Sequence, residues 1–470
     1  MKVPLISGAY QAKSIIANAQ RCVNLYVEKN PQDAPFPTTH YQTPGLVKIA
    51  ESSDFGWRGL YFASNGTLYG VCGQTFYAIG SDWSLTQLGS VSSIDSMVYM
   101  ADNGTTLLAV DGTEQGYTVT LADNTFGSVT DLGFYGGTTI QYADGFFILN
   151  RPGTTQFYIS LAFQATFDAT DFAGKTGFAD KLLTLAVTRL YIFLLGQWTT
   201  EVWVNSGNAT FPYQRMPGTF IQHGCAAVDS VAQMDGAIYW LAQSPQGKCM
   251  VVHTEQYEAV RISTHAIENE IQSYPRIDDA RGYTFQLEGH FQYVLTFPSA
   301  QKTWVYDLST KEWHEWLWLD EQGVFKRHRS NCFAYAYGTP VVGDWENGKL
   351  YRLDMDAMTD DGAPISRLRS FPHMVDDGNR VAYREFIADF QVGEGADFEE
   401  VPVFLRWSDT RGASWGNHIR ESFGLEGDYL KSLQFQRLGM ARDRVFELSW
   451  SAPVKTALNG AYVQPVAVNQ

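Results

Sequence analysis

A lysine and a threonine behind a glycine can hold phosphates between backbone N–H groups and an ammonium, and Ala173-Gly174-Lys175-Thr176 has that order. The complete loop, G-x-x-x-x-G-K-[ST], needs an earlier glycine where this chain has Ala169, and no apolar strand leads from there into a helix. A solvated loop is the expectation. The nine histidines are scattered, with no H-E-x-x-H or H-x-H pair, and no G-x-S-x-G elbow presents a serine nucleophile. The five cysteines, Cys22, Cys72, Cys225, Cys249 and Cys332, are odd in number and never form a C-x-x-C pair. They fit buried thiols of a protein made in a reducing compartment better than a disulfide framework or a zinc site. No catalytic residue, cofactor site or metal site is expected.

Carboxylates come next, because two placed acids can hydrolyse a glycosidic bond. The acidic and arginine residues Asp278, Asp279, Arg281, Asp354, Asp356, Arg367 and Arg369 have no spacing that singles out such a pair. Trp407-Ser408-Asp409-Thr410-Arg411-Gly412-Ala413-Ser414-Trp415 is close to the Asp-box turn of sialidase-like propellers, with one extra residue between Asp and Gly. That box is a structural hairpin even in sialidases, so a carbohydrate-active propeller stays only as the alternative reading. Lys326, Arg327, His328 and Arg329 form the one dense basic cluster, a candidate interaction patch for DNA or an acidic partner. Trp313, Trp316 and Trp318 are read as packing between neighbouring sheets, because buried indoles contribute large apolar area.

The elements that must carry these residues are strands. Hydrophobic residues make up 45% of the 470, charged residues 18% and aromatics 14%. That composition belongs to a folded chain rich in the residues that suit pleated, half-buried surfaces. A turn followed by an apolar strand recurs at Asn65-Gly66, Asn103-Gly104, Asp144-Gly145, Asp235-Gly236 and Asn347-Gly348, with weaker members at Thr188-Arg189 and Glu288-Gly289. Asn-Gly and Asp-Gly supply the positive φ angles of two-residue hairpins, and the steps of 38 to 59 residues match propeller blades. The fold expected is all-β: a six- or seven-bladed β-propeller over 51–375, an extended N-terminal arm over 1–50, and a small C-terminal β-sandwich over 376–470. The one helical signal runs from His265 to Tyr274, after Ser263-Thr264. No run of about 18 uncharged apolar residues occurs and the start lacks a signal-peptide pattern, so neither export nor membrane spanning is expected.

Val23-Asn24-Leu25-Tyr26, Thr43-Pro44-Gly45-Leu46, and Gly196-Gln197-Trp198-Thr199-Thr200-Glu201-Val202-Trp203 leading to Phe211-Pro212-Tyr213 and Gly218 stand in an order that resembles the packaged-DNA-stabilisation proteins of short-tailed bacteriophages, the tail hub or nozzle proteins. Arg437-Leu438-Gly439 with Ala441-Arg442-Asp443-Arg444-Val445-Phe446 extends the likeness towards the C-terminus. The resemblance implies a structural virion protein of the short tail, assembled in the host cytoplasm as a homohexamer beneath the portal and its adaptor. Tailspikes or fibres and a plug or needle are the further partners it implies, with genomic double-stranded DNA passing through without sequence-specific binding. The net charge of −16 agrees with a conduit that does not grip phosphates.

Overall fold

The structure is a computed structural model that describes residues 2–3, 8–14, 18–188, 190–392, 401–425, 427–451 and 453–467. Arg189, part of one weak turn signal, lies outside the described residues. Six blades are each cut from one continuous stretch, 57–90, 99–128, 140–174, 182–221, 224–261 and 281–315. The seventh is composite: Ser330–Ala336, Thr339–Asp344 and Lys349–Asp354 are completed on their outer edge by Gly45–Glu51 from the N-terminal segment. The first strand of each blade lies nearest the axis, and the first strand of the seventh touches that of the first, closing the ring.

Both faces of every blade are covered, which explains why the strands read as near-continuous apolar runs instead of alternating. In Tyr191–Gly196 of the fourth blade, Ile192 and Leu194 pack with Phe157 and Ile159 of the third. Phe193 and Leu195 point the other way, into a core with Ile238 and Trp240 of the fifth. The same division recurs around the ring.

The repeat locates the hairpins between first and second strands in six blades, for example Asp144-Gly145 (φ 53° and 90°) and Asp235-Gly236 (φ 51° and 76°). It misplaces the seventh. Asn347-Gly348 joins the second and third strands of its blade, and the equivalent hairpin is Tyr337-Gly338, with φ 52° and 76°. Gly348 serves close approach: a Cβ there would stand 2.2 Å from the Ser52 carbonyl oxygen, where the chain leaves the closing strand for the first blade. The Gly348 carbonyl accepts from Ser52 N (2.8 Å) and from Trp57 Nε1 (2.9 Å).

The helix forms as His265–Gln272 in the link between the fifth and sixth blades, with the Thr264 hydroxyl accepting from Ile267 N. Beyond the blades stand two packed sheets. One runs in the order Leu433–Gln436, Val381–Gln391, Ala457–Ala467, Thr38–Gln42, Leu25–Lys29. The other holds Cys22–Val23, Arg367–Ser370, Asp443–Trp450, Pro402–Ser408 and Ile419–Ser422. Between them Phe386 meets Phe446 at 4.9 Å and Phe390 meets Trp450 at 5.0 Å.

The N-terminal segment runs extended and is taken up into both bodies. Cys22–Val23 lies parallel to Glu312–Glu315, the outer strand of the sixth blade, and antiparallel to Arg367–Ser370. Blade and sandwich thereby share one continuous sheet. Asn24 secures the joint with φ 54°, its amide donating to Leu317 O (2.8 Å) and Ser366 O (2.7 Å) while its oxygen accepts from Leu317 N (2.9 Å). Asn24→Ala orphans buried backbone groups and is expected to cost about 2–3 kcal/mol. In hydrogen exchange, residues 22–29 and 367–370 should lose protection before the blades do; unchanged protection there would refute the joint's importance.

Candidate functional site

The first strands of the blades enclose an axial cavity of about 830 Å³, lined among others by Tyr61, Tyr99, Asp102, Tyr142, Asp229 and Asn331. The Tyr99 hydroxyl donates to Asp229 Oδ1 at 2.9 Å, tying the second blade to the fifth across the ring. Burial raises both groups above their ordinary values, with the Asp229 charge a further cause at Tyr99. Asp102 accepts from Tyr61 Oη (2.9 Å), Ser64 N (3.1 Å), the Ser64 hydroxyl and Gly104 N (2.9 Å). Burial alone would raise its carboxyl; these donors hold it below the usual range. The cavity's carboxylates are thus engaged in holding blades and turns.

The acids and arginines weighed for glycoside hydrolysis do not converge. Asp278 pairs with Arg276 (2.7 Å), Asp279 accepts from Ser299 N (2.8 Å), Asp354 pairs with Arg352 (2.7 Å) and Asp356 with Lys455 (2.6 Å). Arg281 donates to Asn331 Oδ1 (2.7 Å), and Arg367 is buried beside Asp360. Among the described residues no group of three or more His, Cys, Asp or Glu is placed to hold a metal. Among the described residues no helix is long and apolar enough to cross a membrane.

The Asp-box-like turn closes on itself, with Ser408 Oγ accepting from Gly412 N (2.8 Å). Asp409 takes a bidentate pair from Arg444 at 2.6 and 2.8 Å. Arg444 is buried between Tyr383 (4.8 Å), Trp407 (5.1 Å) and Phe446 (5.6 Å). The C-terminal motif is therefore a packing device of the sandwich.

The cluster 326–329 is split by its own strand. Lys326 reaches Asp320 at 3.1 Å and is the half-exposed member. Arg327 is buried against the Trp345 ring at 4.1 Å, and burial pushes its guanidinium down to about 10. His328 is buried, its Nδ1 sharing a hydrogen bond with Ser330 Oγ at 2.8 Å; burial, then Arg329, lowers it to about 3. Arg329 pairs with Asp344 (3.0 Å) and stacks on Trp318 (3.9 Å). Of the other tryptophans, Trp313 donates to Ile262 O (2.9 Å), whereas the buried Trp316 leaves its N–H without a partner.

Lys175 corrects the solvated-loop expectation. Its side chain is fully buried, with the ammonium on Asp180 and on Thr199 Oγ1 (2.6 Å). Asp180 in turn accepts from Trp198 N (2.7 Å) and Thr199 N (3.0 Å), and Glu201 accepts from Gly177 N (2.6 Å) and Trp203 Nε1 (3.1 Å). The segment 196–203 is the hairpin that receives this link from the third blade. Periodicity carried no hint of it, since a lysine after a strand looks solvated unless its acid is known.

At the joint, Glu315 is buried between Arg21, which donates from Nε and Nη2 at 3.1 Å each, and Lys302 at 3.0 Å. Burial alone would raise its carboxyl, but these cations hold it at about 2, from an ordinary 4.5. Fully buried Arg369 donates to Gly8 O (3.0 Å) and Gln20 Oε1 (2.8 Å).

These observations define an all-β propeller whose polar chemistry is spent on joining blades and sheets. A sequence profile described as Bacteriophage P22 Gp10, beta-propeller, matches residues 1–358, so the chain belongs to that Phage_stabilise family. It is a structural protein of a bacteriophage tail and a component of the virion. No match was found among curated proteins. Solved structures similar to it include the N-terminal domain of Nup159, at 10% identity over 71% of this chain and 98% of that one with a TM-score of 0.42. BamB from Moraxella catarrhalis is 8% identical over 71% and 97%, with a TM-score of 0.41. The designed protein Ika8 is 8% identical over 65% and 99%, with a TM-score of 0.39.

Two outcomes follow from the buried charges. Because the Glu315 carboxyl is depressed in the folded state, its stabilisation is complete above about pH 4.5 and is lost as the pH falls towards 2. Acid unfolding of wild type and Glu315→Gln should converge over that window; curves that stay parallel would exclude the linkage. Lys175→Met alone should cost about 3–5 kcal/mol, and Lys175→Met with Asp180→Asn much less, because the single change leaves a buried charge unpaired whereas the amide oxygen still accepts from Trp198 N and Thr199 N. Equal losses in thermal or urea unfolding would contradict that account.

Proposed function

We propose that this tail protein is the hub or nozzle subunit, a homohexameric ring beneath the portal and adaptor that retains packaged DNA and lines its exit path. The single observation that carries this reading, beside family membership, is the occupied axis. A cavity of about 830 Å³ crossed by the Tyr99–Asp229 hydrogen bond cannot pass a duplex whose major groove alone is about 12 Å wide. DNA would have to run between subunits, so a conduit needs several copies. The chain's net charge of −16 favours walls that repel phosphates.

In this reading residues 51–375 form the blade body, save Arg367–Ser370 and Met374–Val375, which pair into the sandwich, and 1–50 with 376–470 form one platform that docks on the adaptor, offers sites to spikes or fibres and meets a plug or needle. The strand pairing of 22–42 with the C-terminal sheets supports the platform, while Gly45–Glu51 crosses back to close the ring of blades. Lys326 is the member of the basic cluster left with exposed surface for a partner. The protein acts without turnover.

Native mass measurement of the purified chain with the adaptor complex should give six copies per complex. A chain that stays monomeric there would defeat the ring. The same preparation should release no sugar from bacterial polysaccharide, and turnover abolished by changing one carboxylate would favour a glycan-active propeller instead. Duplex DNA should bind at physiological salt no more tightly than the 10⁻⁴ to 10⁻⁶ M order of non-specific binding; nanomolar binding would rule out a low-friction wall.

A further inference from the structure

At the seam between platform and propeller a groove of about 340 Å³ is lined by Tyr26, Glu28, Tyr41, Gln42, Glu288 and Lys455, among others. Two of its polar groups, the Glu28 and Glu288 carboxylates, can only accept hydrogen bonds when ionised. Gln42 is 4% exposed, and its amide nitrogen is directed at Met355 O (3.4 Å) and Met358 Sδ (2.6 Å). That orientation leaves Oε1 of this groove-lining residue buried without a partner, since turning the amide over would set two oxygens against each other. Among the described residues neither Glu28 nor Glu288 has an ion-pair partner, and the Tyr26 and Tyr41 rings stand 5.8 Å apart beside them. The one cation on the rim, Lys455, is held by Asp356 at 2.6 Å. Two carboxylates, an orphaned buried carbonyl oxygen and aromatic faces suit a planar cation with several N–H donors, which describes a guanidinium.

The chain carries such a cation at the other end of the same sheet. The groove runs across one end, where Tyr26, Tyr41, Ala457 and Gln391 stand side by side in register. Arg384 lies seven residues back from Gln391 along Val381–Gln391, about 23 Å away; it and Arg437 are exposed and adjacent, with Arg437 N donating to Arg384 O at 3.2 Å. Neither side chain has an acidic partner among the described residues. Complementary patches at opposite ends of one body make a heterologous contact, which gives a ring when its rotation closes.

We propose that the groove is the socket for an arginine of a second copy of this chain, supplied by its Arg384–Arg437 corner. The inference rests on the ring reading above and adds the residues that join neighbours. Two charge-reversed proteins test it: Glu28→Arg with Glu288→Arg, and Arg384→Glu with Arg437→Glu. Each alone should self-associate at least tenfold more weakly than wild type, by sedimentation at low salt and by native mass on the adaptor complex. Their 1:1 mixture should recover even-numbered rings, because each groove then meets a corner of opposite charge. Melting midpoints and circular dichroism serve as fold controls, and the neutral set E28Q/E288Q and R384Q/R437Q repeats the loss if a reversed chain fails to fold. Wild-type rings that persist in every variant, or a mixture that recovers nothing, overturn the socket and leave the ring standing. A wild-type chain that remains monomeric with and without the adaptor overturns both.

Discussion

The structure hangs on a short stretch of backbone whose hydrogen bonds go to two bodies at once. Cys22–Val23 pairs on one side with the outer strand of the sixth blade and on the other with Arg367–Ser370 of the sandwich. Backbone groups buried there have no water to turn to, so each must find its partner in the neighbouring body. Asn24, held at a positive φ, reaches both the chain leaving the blade at Leu317 and the chain entering the sandwich at Ser366. A few residues further on, Gly45–Glu51 closes the seventh blade. The N-terminal segment therefore fixes the ring and the sandwich together, and neither is complete without it.

Charge is organised around the same joint. Glu315 is flanked by Arg21 and Lys302, Arg369 by carbonyls and the Gln20 amide oxygen, and Glu447 by Arg406 and Ser370. A buried ion costs several kcal/mol unless its pairing is good, so such groups specify one arrangement more than they add stability. The Lys175–Asp180 link between the third and fourth blades works in the same way.

Much of this was legible in the residues. Asn-Gly and Asp-Gly pairs have few uses other than positive-φ turns, so their recurrence marked successive blades, and the aromatic, β-branched composition marked the sheets. The signal failed where a glycine did another job. Asn347-Gly348 sits at the ring closure because a side chain would strike the Ser52 carbonyl, while the true seventh hairpin uses Tyr337, a residue that no turn statistic favours. Trp313 and the Thr264-capped helix were readable from local pattern alone, because their partners are their own neighbours in sequence or the adjacent blade.

What the sequence by itself determined is local: strand spacing, turn positions, the single helix, the absence of any complete catalytic or metal-binding spacing, and the succession of segments that resembled the family to which the chain belongs. What only the tertiary structure decided is long-range. Lys175 passed for a solvated lysine until Asp180 and Thr199 were seen to enclose it, and the basic run 326–329 passed for a patch until its two middle residues, Arg327 and His328, were seen to be buried. The sides of the groove formed by Glu28 and Glu288 come from the N-terminal segment and from the sixth blade. Burial and pairing depend on how the chain folds back, over 5 residues at Lys175 and Asp180 and over 293 at Asn24 and Leu317, and a sequence read along its length carries no measure of which strand will lie beside it.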